Sequence, residues 1–170
     1  MSSLFSPPHD DPSAVNEASI IALEYAGMEK LKLVMAIMNS AFSPLYGESW
    51  NEHQCRSMLC LPGTQLMIAN IEDESCGFAI SRSLAGEEEL LMIAVSPQHQ
   101  GHGIGIALLE RLLDDAVRNG VSAVFLEVRS NNPAQNLYQR LGFEKIGTRP
   151  AYYTGDNKEK FDAITYKKQL

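Results

Sequence analysis

The chain has 170 residues, 45% hydrophobic and 21% charged, enough for one domain with a full core. Its formal net charge of −7 argues against sequence-independent binding to a phosphate backbone, which needs a basic face, and suits a basic partner instead. No apolar run approaches the roughly 18 residues of a membrane helix, so a cytoplasmic protein with no membrane or direct nucleic-acid partner is expected.

Residues 1–17 are polar, carry Pro7, Pro8 and Pro12, and lack the basic start and apolar stretch of a secretory signal. They read as a flexible leader before a single domain over 18–170. The three cysteines, Cys55, Cys60 and Cys76, show no CxxC spacing and read as reduced thiols. The four histidines also lack metal-type spacing, so no metal is expected.

Ala18–Tyr25 reads as a first strand. Apolar residues at Leu31, Val34, Met35 and Met38 predict a helix over Met28–Ala41. Pro44 and Gly47 break the chain, and a second helix spans Trp50–Leu59 up to Pro62-Gly63. Gln65–Ile71, Gly77–Leu84 and Glu88–Val95 follow as three strands of an antiparallel meander. The wide apolar face of Ile104–Asn119 predicts a long helix stopped by Gly120. Ser122–Val128 reads as a buried strand and Pro133–Leu141 as a short helix. Phe143–Ile146 and Phe161–Tyr166 close the chain as two more strands. The order predicts an α/β (α+β) domain with a mixed sheet.

Three alternating glycines stand where that long helix begins, in Gln100-Gly101-His102-Gly103-Ile104-Gly105. Glycines at a helix N-terminus let an anion approach free N–H groups. The dinucleotide pattern GxGxxG needs glycine where Ile106 stands, and GxxxxGK[ST] has no lysine. A third form, Gln/Arg-x-x-Gly-x-Gly/Ala, fits at every position.

With the strand Leu91-Met92-Ile93-Ala94-Val95 before it, and Asn131, Ala134, Leu137-Tyr138 and Gly142-Phe143 after the next strand, this stretch resembles the GNAT superfamily of acetyl-CoA-dependent N-acetyltransferases. The resemblance is strong over Glu88–Gly147 and implies a mixed, mostly antiparallel sheet flanked by helices. Phe125-Leu126-Glu127-Val128-Arg129, Tyr152-Tyr153 and Asp162-Ala163-Ile164 narrow it to the bacterial ribosomal-protein-alanine N-acetyltransferase group. Those enzymes acetylate the N-terminal amine of a basic ribosomal protein. Between Arg129 and Asn131 the chain is one residue shorter than the group's best-known members.

The resemblance implies acetyl-CoA as cosubstrate. Gln100, Gly101, His102, Gly103, Ile104, Gly105 and Ile106 would wrap its pyrophosphate. Backbone of Ile93, Ala94 and Val95 would pair with its pantetheine arm, and Asn131 would complete the cofactor contacts. An amine of pKa near 8 is mostly protonated at neutral pH, so a base is needed. Glu127 is a carboxylate in an apolar strand, where burial raises a carboxyl pKa toward the useful range. Its position leaves open a solvent-facing carboxylate or a pair with Arg129; the resemblance makes it the general base. Tyr138 carries a phenol able to protonate a leaving thiolate, and the resemblance makes it the general acid. Tyr46, Trp50, Tyr152 and Tyr153 are candidates for lining an acceptor cleft or for packing. No serine or cysteine is placed for a covalent acetyl-enzyme, so direct attack in a ternary complex is expected. An acceptor lysine, polyamine or other small amine, or a module that binds acetyl-CoA without turnover, are the alternatives.

Overall fold

The computed structural model describes residues 20–170, so the expected leader over 1–17 lies outside the described residues. The apolar spacing that predicts each helix also sets where it packs. β1 (Ile21–Ala26) leads through a short 3-10 turn into α1 (Leu31–Ala41), which buries Leu31, Val34, Ile37 and Met38 along one side. A second 3-10 turn at Pro44–Tyr46 precedes α2 (Glu52–Leu59). Asn51 and Gln54 start α2 by a reciprocal capping box: each side chain accepts from the other's backbone N–H, at 2.8 and 2.9 Å.

β2 (Thr64–Ile71), β3 (Glu74–Leu84) and β4 (Glu87–Val95) form the predicted antiparallel meander. α3 (Ile104–Arg118) crosses over to β5 (Ala123–Arg129), which lies parallel to β4. α4 (Gln135–Arg140), β6 (Glu144–Thr154) and β7 (Lys160–Gln169) complete the chain. The seven strands make one sheet in the order β1-β2-β3-β4-β5-β7-β6. The β4–β5 pair alone is parallel, α3 returning the chain to the end of the sheet where β4 begins.

Two cores lie on opposite faces of this sheet. α3 and α4 cover Leu90, Val124, Leu126, Val128 and Ile164 on one face. α1 and α2 cover Leu66, Ile68, Phe78, Ile80, Met92 and Ala94 on the other. Leu90 and Met92 are two residues apart in one strand yet join different cores. The cause is a bulge: Ile80 pairs with Met92 and Ser81 with Leu90, leaving Leu91 extra. One extra residue inverts the alternation beyond it and bends the strand.

β6 is longer than the predicted Phe143–Ile146. It runs on through Pro150 to Thr154, because β6 is an edge strand where a missing N–H is tolerated. Its pairing with β7 skips from Arg149–Ala163 to Tyr153–Phe161. The Ala151 N–H freed by that irregularity donates to Asp162 Oδ1 at 2.9 Å.

Candidate active site

The site begins where β4 and β5 part. Their pairing ends at Leu90 opposite Leu126, whereas β5 stays paired with β7 as far as Arg129. The backbone of Leu91–Val95 therefore has no strand on its β5 side. Two cavities, of about 330 and 390 Å³, open beside this free edge. The first is lined by Trp50, Glu89, Glu127, Tyr152 and Tyr153 among others. The second is lined by Ile93, Ala94, Val95, Gln100 and Gly105 among others. Glu48, Ile93, Asn132 and Tyr138 line both, so the two are halves of one cleft.

The glycine loop closes the end of the second half. Gly101 and Gly103 hold φ of +80° and +82°, left-handed values that a Cβ makes costly, and the space a Cβ would enter is open within 4 Å. Gly105 differs: it lies inside α3, where a Cβ would make an ordinary 3.6 Å contact with Leu137. Among the described residues, the N–H groups of Gly101 to Ile106 have no backbone acceptor, and α3 has no side-chain cap. These donors gather at the positive end of a helix dipole. Gln100 Nε2 donates to the Val95 carbonyl at 3.0 Å and so ties the loop to the end of β4. The neighbouring histidines serve the loop itself. His99 Nδ1 lies 2.9 Å from Ser96 Oγ, and His102 Nδ1 lies 3.0 Å from the Gln100 carbonyl.

Glu127 stands in the middle of β5, its side chain 20% exposed. Oε1 accepts from Arg149 Nη2 at 2.9 Å, while Oε2 is buried with no hydrogen-bond partner among the described residues. The partner is thus Arg149 on β6, not the Arg129 weighed from sequence. Arg129 is drawn to the α1–α2 loop instead. Its side chain is 6% exposed, 3.3 Å from Glu48, and stacked 3.7 Å from the Tyr46 ring centroid.

Tyr138 is 5% exposed and packs edge-on against Phe143. Burial, then the charge of Glu48, pushes its phenol well above the ordinary value, so it stays protonated at neutral pH. Tyr153 is pushed up to about 12, again by burial first and Glu48 next. Trp50, Tyr152 and Tyr153 line the first cavity, whereas Tyr46 lies under Arg129 and lines the second.

Asn131 accepts a hydrogen bond from Arg129 Nη1, and its neighbour Asn132 is the residue that lines the cleft. Sequence reasoning also missed two carboxylates. Glu89 lines the first cavity and its carboxyl is pushed up by burial and then by the charge of Glu127. In the run Glu87-Glu88-Glu89, strand alternation groups it with Glu87 and sets apart the buried Glu88, so no sequence signal singles it out. Glu48 is the one charged residue in Ser43–Ser49, and no motif marks it.

A glycine loop with free N–H groups, a splayed β4–β5 pair, and a cavity lined by both Glu127 and Tyr138 define the site. The family model for the acetyltransferase (GNAT) family matches residues 31–143, and the chain belongs to that family. It is 45% identical over 89 residues to the [ribosomal protein bS18]-alanine N-acetyltransferase of Escherichia coli K12, covering 51% of this chain and 59% of that relative. The Haemophilus influenzae protein of the same name is 40% identical over 77 residues, covering 45% of this chain and 53% of its own length. The chain thus spans under two thirds of the curated relatives it matches. Over a longer span, the crystal structure of the ribosomal-protein-S18-alanine N-acetyltransferase from Escherichia coli superposes with a TM-score of 0.81 at 28% identity, covering 89% of this chain and 94% of that one. Among the described residues, no helix is long and apolar enough to cross a membrane.

Proposed function

We propose that the protein transfers the acetyl group of acetyl-CoA to the N-terminal amine, an alanine, of a basic ribosomal protein by direct attack in a ternary complex. The observation that carries the reading is that Glu127 and Tyr138 line one cavity beside the unpaired edge of β4. The relatives named above act, by their names, on the alanine of a ribosomal protein, and the net charge of −7 favours a basic acceptor.

The cosubstrate supplies a thioester-activated acyl group. Free N–H groups of Gly101 to Ile106 would hold its pyrophosphate, with Gln100 bracing the loop. The free edge at Ile93, Ala94 and Val95 would pair with its arm as an added strand does. Glu127 takes one proton from the acceptor ammonium, and the freed lone pair forms the C–N bond at the thioester carbon. A β4 N–H would face the carbonyl oxygen as it gains charge. As the C–S bond breaks, its electron pair stays on sulfur, which takes the Tyr138 proton. The nitrogen's second proton restores the phenol, and Glu127 passes its own to solvent. The sum is ammonium plus thioester giving amide, thiol and one proton.

Thiol release from acetyl-CoA tests this with three acceptors side by side: a basic peptide with a free N-terminal alanine, the same peptide N-blocked but bearing lysines, and a polyamine. Turnover with the first alone is the expected result. Turnover with the other two moves the acceptor to a side-chain or small amine, and cofactor binding without turnover makes the chain a binding module.

A further inference from the structure

Glu48 has no role in the chemistry above, yet its position in the cleft is unusual for a loop carboxylate. It sits between the 3-10 turn at Pro44–Tyr46 and α2, and its side chain is only 10% exposed. It lines both halves of the cleft, as Tyr138 does. A buried carboxylate needs compensation, and Glu48 has it on one oxygen only. Oε1 lies 3.3 Å from Arg129 Nε and accepts from Asn132 Nδ2, also at 3.3 Å. Among the described residues, no hydrogen bond reaches Oε2.

The chain invests heavily in holding that oxygen still. Arg129 is buried and packed against the edge-on Tyr46–Phe161 pair, with centroid distances of 3.7 and 5.6 Å. Asn132 is fixed in turn by the Ala134 N–H, which donates to its Oδ1 at 2.9 Å. The loop is pressed onto the β6–β7 hairpin so closely that a Cβ on Gly47 would stand 2.2 Å from the Thr154 carbonyl oxygen. A carboxylate with one oxygen braced and the other free, at the junction of two cavities, is a preorganised hydrogen-bond acceptor.

We propose that Glu48 Oε2 binds the acceptor's amine, holding it at the junction of the two half-cavities while Glu127 removes its proton. This rests on the amine-acetylating reading above. It assigns the two carboxylates different tasks: Glu127, on the rigid sheet, handles the proton, and Glu48, on the loop, fixes the nitrogen's position. Arg129 and Asn132 are positioning residues that act through Glu48. The charge of Glu48 also bears on the Tyr138 phenol, in keeping with its place beside the reacting groups.

The test is equilibrium binding to the full chain in complex with CoA, using two probes. One is a basic peptide with a free N-terminal alanine, and the other is the same peptide lacking only that amine. The wild type should prefer the amine-bearing peptide by about tenfold to a hundredfold, the range for a charge-assisted hydrogen bond. Glu48→Gln keeps an oxygen for Arg129 and Asn132 but turns the free atom into a donor, so the preference should collapse toward unity. CoA affinity should stay within about twofold. Glu48→Ala gives a second route to the same loss if the amide variant folds poorly.

A merely structural Glu48 predicts that both peptides weaken together, and that result overturns the proposal. So does a wild type that shows no preference, or a preference that survives in both variants. Because no turnover is measured, an inactive wild type that still prefers the amine sinks the proposed reaction while leaving this contact standing. Binding of neither peptide overturns both.

Discussion

Gly47→Ala and Gly120→Ala are a matched pair that separates backbone strain from cleft geometry. Both glycines are left-handed, with φ of +67° and +72°. A Cβ in that region costs about 1–2 kcal/mol, so each variant should melt about 2–8 °C lower at a shift of roughly 2–4 °C per kcal/mol. Their surroundings differ. At Gly120 a Cβ meets nothing within 4 Å, whereas at Gly47 it stands 2.2 Å from the Thr154 carbonyl oxygen, against 3.4 Å for ordinary contact. That backbone oxygen is part of β6 and cannot swing away as a side chain could. The α1–α2 loop must therefore retreat by about 1 Å, carrying Glu48 and the wall near Trp50 with it. A misplacement of that size at a reacting centre costs on the order of 100-fold in rate. The assay is kcat/KM for acetyl transfer, with CoA affinity and thermal melts measured on both variants. We expect kcat/KM to fall by one to two orders of magnitude (about 10–100-fold) in Gly47→Ala and to stay within about threefold of wild type in Gly120→Ala. Equal activity in the two variants refutes the claim that this loop contact shapes the cleft.

Glu127→Gln and Tyr138→Phe should each cut turnover by about 100- to 10,000-fold with cofactor affinity nearly unchanged; a variant that turns over normally has been given the wrong role. The Glu89 carboxyl is pushed up by burial and by Glu127, so its ionised form carries a penalty in the folded chain. Glu89→Gln should therefore raise the melting temperature at neutral pH. That gain should shrink as pH falls through the raised value and vanish below the ordinary glutamate value of about 4.3, where both states are protonated; melts across pH check the sign. Tyr25 donates to Asp115 at 2.6 Å, and burial followed by that bond pushes its phenol up to about 12. In Tyr25→Phe the step near pH 12 of the tyrosinate absorbance titration, which Tyr25 shares with Tyr153, should lose about half its amplitude, and stability should fall by no more than about 1 kcal/mol because the pair is exposed.

Local sequence determined most of the elements and the glycine-loop end of the cleft, because both rest on short-range rules. Apolar spacing sets α3 and its buried face, and Gly101, Gly103 and Gly120 are needed for left-handed backbone that neighbours in sequence dictate. The free N–H groups of Gly101 to Ile106 follow from where α3 begins. Only the tertiary structure decided the end lined by Glu48, Glu89 and Glu127. The bulge at Leu91 inverts β4 inside the unbroken apolar run Leu90–Val95, where no alternation can be read. The Pro150 segment stays in β6 because that strand ends up at the sheet edge. Arg149 on Glu127 and Arg129 on Glu48 are pairs between residues 22 and 81 positions apart, by their own numbering. Such pairs depend on which strands adjoin and which loops close over them. A carboxylate's partner, and so its task, is therefore a property of the folded sheet, while the glycine loop's is a property of the chain.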